Sequence, residues 1–144
     1  MSAIYDILFE NSLTNAEAIV LTTTAQIFIA LSDDPPNYGS DTAKGDVAAL
    51  SGGAFQACTG TFSLTGGGDG TGGAVTYDNT ATQQFTGVTG DLDFVHLGWS
   101  GNSGTDITLI CAFSSGTGFG STLTSADVDI TFDTGTNKIF KITS

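Results

Sequence analysis

His96 is the single histidine of this 144-residue chain, and it lies in an apolar segment that ends at Ser100. A histidine can act as a general base when a nucleophile and an orienting carboxylate are within reach, and Ser100 and Asp106 follow it closely. No motif connects the three residues, and an enzyme of the serine type also needs an oxyanion site. The pattern favours a structural histidine, and we expect the protein not to be an enzyme.

Four aspartates form two pairs with i, i+2 spacing, which places both carboxylates of a pair on one face of a strand. They are Asp91 with Asp93 and Asp127 with Asp129. Such a face can hold Ca²⁺ if a neighbouring strand supplies a third oxygen ligand. The alternative, and the commoner role, is a solvated face whose negative charge opposes edge-to-edge aggregation. The chain has no nucleotide fingerprint and no cluster with metal-ligand spacing, so we expect no cofactor.

The two cysteines, Cys58 and Cys111, lie far apart in segments with strand character. They lack the CxxC spacing of a zinc or redox site. We predict buried thiols that act as small hydrophobic residues. A disulfide is the less favoured alternative, because disulfides are rare in proteins made in the cytosol.

The charge balance is strongly acidic, with 15 Asp and Glu residues against three Lys and Arg, for a formal net charge of −12. A surface this negative repels phosphate backbones and anionic lipids. No apolar run approaches the about 20 residues of a membrane-spanning helix, and the first residues lack the basic segment of a signal peptide. We therefore expect synthesis in the cytoplasm, with no nucleic-acid and no membrane partner.

Apolar residues mostly alternate with polar ones, which is typical of strands with one face in a core. In the segment 26–31 both phases are apolar, which predicts a strand covered on both faces. The apolar segment 91–99 changes phase near Phe94, which predicts a bulge or another doubly buried strand. The segments 127–133 and 139–143 predict a C-terminal hairpin. Together these patterns predict a single all-β domain over residues 1–144, a β-sandwich or jelly roll of antiparallel sheets.

The N-terminal segment, residues 1–15, is the one part of the sequence with helical spacing. Ser2 can cap a short helix. Its apolar side is formed by Ile4, Tyr5, Leu8 and Phe9. A helix this short is marginal alone and has to dock, either as a lid on the sandwich or as an arm on a neighbouring subunit.

Residues 32–46, which we call the proline loop, contain both prolines of the chain, Pro35 and Pro36, together with Tyr38. Proline excludes a regular central strand. An excursion of about 15 residues in a compact domain is typical of a functional loop or an arm.

Several short motifs follow one another along the chain. They are Ala3-Ile4-Tyr5-Asp6-Ile7-Leu8, Ile27-Phe28-Ile29-Ala30-Leu31-Ser32-Asp33, Ser51-Gly52-Gly53-Ala54 and Ile139-Phe140-Lys141-Ile142-Thr143. In this order and spacing the chain resembles small virion structural proteins of tailed bacteriophages, of the head decoration (cement) type. Its Asp-Asp-Pro-Pro sequence and its glycine-rich segment 66–73 depart from the commonest pattern of that family.

The resemblance implies a homo-oligomer, a dimer or a trimer, that is made in the host cytoplasm and binds the capsid surface of the virion. There it would stabilise contacts between subunits of the major capsid protein. The residues we expect at the contacts are Ile4, Tyr5, Leu8 and Phe9 of the helix and Pro35, Pro36 and Tyr38 of the proline loop. The alternative is a tail component, such as a tail tube, tip or receptor-binding protein.

Overall fold

The structure, a computed structural model, describes residues 3–4, 26–58, 60–65, 74–79, 82–100, 106–131 and 140–143. These residues form antiparallel β-sheets with almost no helix, which confirms the predicted all-β class. The short 3-10 helix is Lys44–Asp46, and no helix among the described residues is long and apolar enough to cross a membrane. The strands are β1 (Ala3–Ile4), β2 (Gln26–Ser32), β3 (Gln56–Ala57), β4 (Gly60–Thr65), β5 (Ala74–Asn79), β6 (Gln83–Leu92), β7 (Phe94–Ser100), β8 (Thr108–Phe113), β9 (Ser121–Ile130) and β10 (Phe140–Thr143).

The largest sheet has five strands in the order β1-β8-β7-β2-β3, and β2 pairs with β7 along its whole length. Alternation along β2 places Ile27, Ile29 and Leu31 on its first face. Phe28 and Ala30 lie on its second face. All five side chains are buried, which confirms that this strand is covered on both faces.

The main core lies between the first face of the five-stranded sheet and a two-stranded ribbon formed by β6 and β9. Strand β6 contributes the buried residues Phe85, Val88 and Leu92. Strand β9 contributes the half-buried Val128 and Ile130, while Asp127 and Asp129, which alternate with them, are exposed. The alternation in β9 therefore places one face of the strand in the core and the other in water, as predicted.

The ribbon contains two β-bulges that cancel each other's register shift. Between Phe85 and Val88 strand β6 has one residue more than β9, and between Val88 and Gly90 strand β9 has one more. Left-handed backbone marks both irregularities, at Gly87 (φ +66°) and at Ser125 (φ +48°). Bulges of this kind bend and twist a ribbon, so that it can curve over a sheet.

The predicted apolar segment 91–99 is two strands rather than one. Asp93 separates β6 from β7, and the two strands belong to different sheets. Leu92 and Val95 both enter the main core, from opposite sides. The change of phase therefore marks the passage of the chain from ribbon to sheet.

The second face of the five-stranded sheet is covered by the proline loop and the segment after it. Val47 and Leu109 form a small buried cluster there, and the half-buried Tyr38 and Phe55 pack against it. We call this group the second-face cluster. It gives the proline loop an apolar base on the sheet.

The predicted N-terminal helix is wrong at the two positions that the structure describes. Ala3 and Ile4 form β1 and pair with β8. The outer edge of β8 presents backbone donors and acceptors, and antiparallel pairing satisfies them. The rest of the predicted helix lies outside the described residues, including Tyr5, Leu8 and Phe9.

The predicted C-terminal hairpin is also wrong, because β10 pairs with β5 while β9 pairs with β6. With β4, strands β5 and β10 form a three-stranded sheet in the order β10-β5-β4. In its register Tyr77 is the partner of Phe62 on one side and of Phe140 on the other. Alternation in the sequence assigns a face to each residue, but it does not identify the partner strand.

Candidate functional site

The proline loop is pinned at its start by Ser32, the last residue of β2. The Ser32 Oγ accepts a hydrogen bond from the Asp34 N–H at 2.9 Å and donates one to the Ala48 carbonyl at 2.7 Å. The Ser32 side chain is fully buried. One buried hydroxyl thus connects the first residues of the loop to the segment that follows it.

Two aspartates brace the interior of the loop. The Asp41 Oδ2 accepts the Asn37 N–H at 2.7 Å, and the Asn37 carbonyl accepts the Asp41 N–H at 2.8 Å. The Asp46 Oδ2 accepts the N–H groups of Thr42 and Ala43 at 2.8 and 2.9 Å. These backbone hydrogen bonds favour the charged carboxylate and hold the pKa of Asp46 below its usual value.

The bracing roles of Asp41 and Asp46 are not apparent from the sequence alone. Each carboxylate caps backbone N–H groups three or four residues earlier in the chain. The available signal is the general tendency of aspartate to hydrogen-bond the backbone of turns. That tendency marks a turn, but it does not say which of several aspartates holds it.

Two backbone hydrogen bonds fasten the far end of the loop to the sheet. The Lys44 N–H donates to the Ile107 carbonyl at 3.0 Å, and the Leu109 N–H donates to the Thr42 carbonyl at 3.1 Å. The loop therefore extends the antiparallel pairing at the start of β8. A segment held in this way is ordered before any partner binds.

His96 lies beneath the proline loop and is 1% exposed. Its Nε2 is 3.3 Å from the Asp34 backbone oxygen, and since a carbonyl only accepts, Nε2 is the donor. Ala30 and Ala112 flank it in the sheet, and their small side chains leave room for the ring. Burial lowers the pKa of His96 below its usual value, against the opposing effects of the Asp34 hydrogen bond and of the Asp34 and Asp41 charges.

The structure does not bring His96 together with Ser100 and Asp106. His96 and Ser100 are four residues apart on β7, which separates them by roughly 13 Å along the strand. Asp106 is exposed and precedes β8 by two residues, whereas His96 lies opposite Ala112 near the other end of β8. His96 therefore holds the loop on the sheet, in agreement with a structural histidine.

The four aspartates considered as candidate calcium ligands are dispersed. Asp91 accepts a hydrogen bond from Thr122 Oγ1 at 2.5 Å, and Asp129 accepts one from Gln84 Nε2 at 3.0 Å. These cross-strand pairs lie at opposite ends of the ribbon, roughly 20 Å apart at about 3.3 Å per residue. Within the described part of the chain, no three His, Cys, Asp or Glu side chains are grouped so that they could hold a metal ion.

The other two aspartates of the predicted set have separate surroundings. Asp93 lies between β6 and β7, so it does not share a strand with Asp91. Asp127 accepts the Gly87 N–H at the first bulge, at 3.3 Å. At the second bulge the Ser125 N–H donates to Thr89 Oγ1 at 3.0 Å. Cross-strand side chains thus satisfy the backbone where the ladder is broken.

Cys58 and Cys111 are buried thiols in the main core, which confirms that prediction. Desolvation raises the pKa of each thiol to about 12. A thiol with such a pKa is almost entirely protonated at neutral pH, and the thiolate is the reactive form.

The contact residues predicted for the proline loop are at the surface. Pro35 is exposed, and Pro36 and Tyr38 are half-buried. Tyr38 also packs on the second-face cluster, so it supports the loop as well as forming part of its surface. Of the contact residues predicted for the helix, Ile4 lies in β1, and the other three lie outside the described residues.

The Ser51-Gly52-Gly53 motif forms a corner that connects the five-stranded sheet to the ribbon. The Thr89 N–H donates to the Ser51 carbonyl at 3.0 Å, and the Leu31 N–H donates to the Gly53 carbonyl at 2.9 Å. Gly52 adopts a φ of +77° between them, in the left-handed region that favours glycine. The motif therefore has a role in the fold.

No protein-family model, curated protein or solved structure matches this chain. The resemblance to phage virion proteins thus stands on the motifs quoted above, and its functional implications are a proposal.

Proposed function

We propose that the protein is a bacteriophage virion structural protein, a capsid decoration protein that binds the outer surface of the head and stabilises contacts between major capsid protein subunits. The observation that carries the proposal is the construction of the proline loop. It is a surface segment braced by Asp41 and Asp46 and fastened to β8. A loop ordered in advance loses little conformational entropy when it binds a partner.

Four of the polar side chains that could take part in chemistry, those of His96, Asp91, Asp127 and Asp129, hold the fold, which favours a binding role. His96 anchors the loop, and Asp91, Asp127 and Asp129 bridge the two strands of the ribbon. A decoration protein acts by burying surface across the seams of a shell, which requires a rigid fold with a shaped surface. The construction of the loop suits that task.

The proposed architecture is a β-sandwich or jelly roll formed by one domain over residues 1–144. Packing of the ribbon on the five-stranded sheet supplies two layers of it. The protein would assemble as a dimer or trimer in the host cytoplasm and attach to the capsid surface of the virion, where repetition strengthens weak contacts through avidity. A net charge of −12 would keep decorated particles apart.

A tail component is the second candidate, and the outer face of the ribbon favours it. Asp91, Asp127 and Asp129 are exposed there, and an acidic face suits the wall of a tube through which DNA passes. A sugar-binding tail tip finds less support in Trp99. That side chain packs against the main core, and its Nε1 is buried.

Immunogold labelling of intact virions with an antibody to this protein tests the proposal directly. Gold spread over the head is the expected result. Label confined to the tail would replace the first candidate with the second, and unlabelled particles would refute both.

A pair of variants tests the proline loop as the docking surface. Pro35→Ser combined with Pro36→Ser changes its apolar surface while leaving Asp41 and Asp46 in place. Thr124→Ala, on the exposed face of the ribbon, is the matched control. We expect co-sedimentation with undecorated capsids to weaken about tenfold for the proline variant, a change of about 1.4 kcal/mol, and to be unchanged for the control. Equal occupancy of the capsids by the two folded variants would contradict this assignment.

A further inference from the structure

The chain's single histidine lies directly under the segment proposed to dock. We propose that His96 is a pH-sensitive anchor of the proline loop, and that protonation of its imidazole releases the loop from the second face of the five-stranded sheet. The proposed function enters only in identifying the loop as a docking surface. The anchor itself is a property of the isolated chain.

The position of the ring makes protonation costly while the loop is closed. In the neutral ring Nε2 already carries the proton that it donates to the Asp34 carbonyl. The second proton adds at Nδ1 and gives the ring a full positive charge. His96 is 1% exposed, so water does not reach the ring to solvate that charge.

The surroundings of the ring indicate whether the strands or the proline loop would move when the imidazole is protonated. Strand β2 places Ala30 beside His96, β8 places Ala112 there, and Phe94 of β7 lies with its ring centroid 6.2 Å away. None of these three residues carries a charge. The proline loop carries the acidic groups that act on the ring, Asp34 and Asp41.

The strands around His96 are held by backbone pairing on both edges of β7. Strand β7 pairs with β2 on one edge and with β8 on the other. The loop is held by individual hydrogen bonds, among them the contact of His96 with the Asp34 carbonyl, and by the packing of Tyr38 on the second-face cluster. Movement of the loop therefore admits water to the imidazolium at the least cost, and the two carboxylates move with it.

Linkage fixes the direction of the effect. Burial lowers the pKa of the imidazole in the closed state, so the closed loop binds the proton less well than an open loop would. The closed state is therefore favoured above about pH 6.5, the ordinary value for histidine, and loses its advantage as the pH falls toward the lowered pKa. Within that window the ratio of open to closed loops rises by up to about tenfold per pH unit.

NMR of the intact chain tests the anchor, because one histidine gives one imidazole titration. We expect a midpoint below about 6.5. We also expect the hydrogen-exchange protection factors of the Lys44 and Leu109 amides, which fasten the loop, to fall over the same range by up to about tenfold per pH unit. Protection in the β6–β9 ribbon should remain constant. Constant protection in the loop, or equal loss in loop and ribbon, would overturn the proposal.

Two variants separate the anchor from general destabilisation. His96→Gln keeps a side-chain N–H for the Asp34 carbonyl but does not titrate, so loop protection should become independent of pH. Asp41→Asn removes one charge that favours the imidazolium and keeps an oxygen that can accept the Asn37 N–H. It should lower the imidazole midpoint, and it supplies the test if His96→Gln does not fold. A pH response that survives in folded His96→Gln, or an unshifted midpoint in Asp41→Asn, would contradict the mechanism. Since no capsid is used, this result is independent of the labelling experiment.

Discussion

Gly52 is the position at which a single added methyl group should damage the fold most clearly. Its φ is +77°, and a Cβ there would lie 2.8 Å from the Thr86 carbonyl oxygen and 2.9 Å from that of Gly87. Both atoms belong to the backbone of β6, next to the first bulge. Neither can swing aside as the end of a flexible side chain could.

The expected cost of Gly52→Ala has two parts. A left-handed conformation costs a non-glycine residue about 1–2 kcal/mol. Insertion of a methyl group into closely packed structure costs typically about 1–3 kcal/mol, and we expect the upper half of that range because backbone has to move. The sum is about 3–5 kcal/mol, a large part of the 5–15 kcal/mol typical of a folded domain. The midpoint of thermal unfolding should fall by roughly 10–17 °C.

Gly87→Ala is the matched control, because it shares the backbone cost without the collision. Gly87 has a φ of +66°, and an added Cβ would meet only Ser125 Oγ, at 4.0 Å. Its expected cost is therefore about 1–2 kcal/mol. Urea unfolding followed by the fluorescence of the single tryptophan, Trp99, gives the free energy of unfolding of each variant. Equal losses for Gly52→Ala and Gly87→Ala would refute the steric argument.

Three further predictions concern the two cysteines, Asp46 and Gly98. The thiols of Cys58 and Cys111, with pKa values of about 12, should resist a thiol reagent at pH 8 in the folded protein and react once it unfolds in urea. Asp46→Ala should cost about 0.5–1 kcal/mol in urea unfolding, as for an exposed cap. Because the pKa of Asp46 is lowered on folding, this difference from the parent is present above about pH 4 and should be lost as the pH falls through the lowered pKa. Gly98→Ala should cost about 1–3 kcal/mol in thermal unfolding, since its Cβ would collide with Ile107 Cγ2; a stable variant would contradict that contact.

The sequence predicts faces of strands better than it predicts their partners. Two apolar phases in β2 correctly predict burial on both sides, because each phase faces its own apolar layer. In the segment 91–99 the pattern correctly predicts a strand buried on both faces, since residues 95–98 of β7 are all buried, but it does not show that Leu92 and Val95 reach one core from two different sheets. The pattern of apolar residues predicts whether a residue is buried. It does not predict which sheet that residue belongs to.

The candidate site is harder to predict because its important contacts involve the backbone. His96 is conspicuous in the sequence as a single histidine, but its partner is the carbonyl oxygen of Asp34, 62 residues away. A carbonyl belongs to every residue type, so no spacing reveals it. The same holds for Asp41 and Asp46, whose partners are backbone N–H groups.

Two of the motifs quoted above have structural explanations in this chain. Gly52 has no room for a side chain at the corner, and Ala30 leaves room for the imidazole of His96. Pro35 and Pro36 lie in the proline loop, outside all of these motifs. The corner at Gly52 and the pairing of the strands do not involve Pro35 or Pro36. Substitutions at the two prolines therefore test what the protein binds, whereas Gly52→Ala tests the stability of the fold.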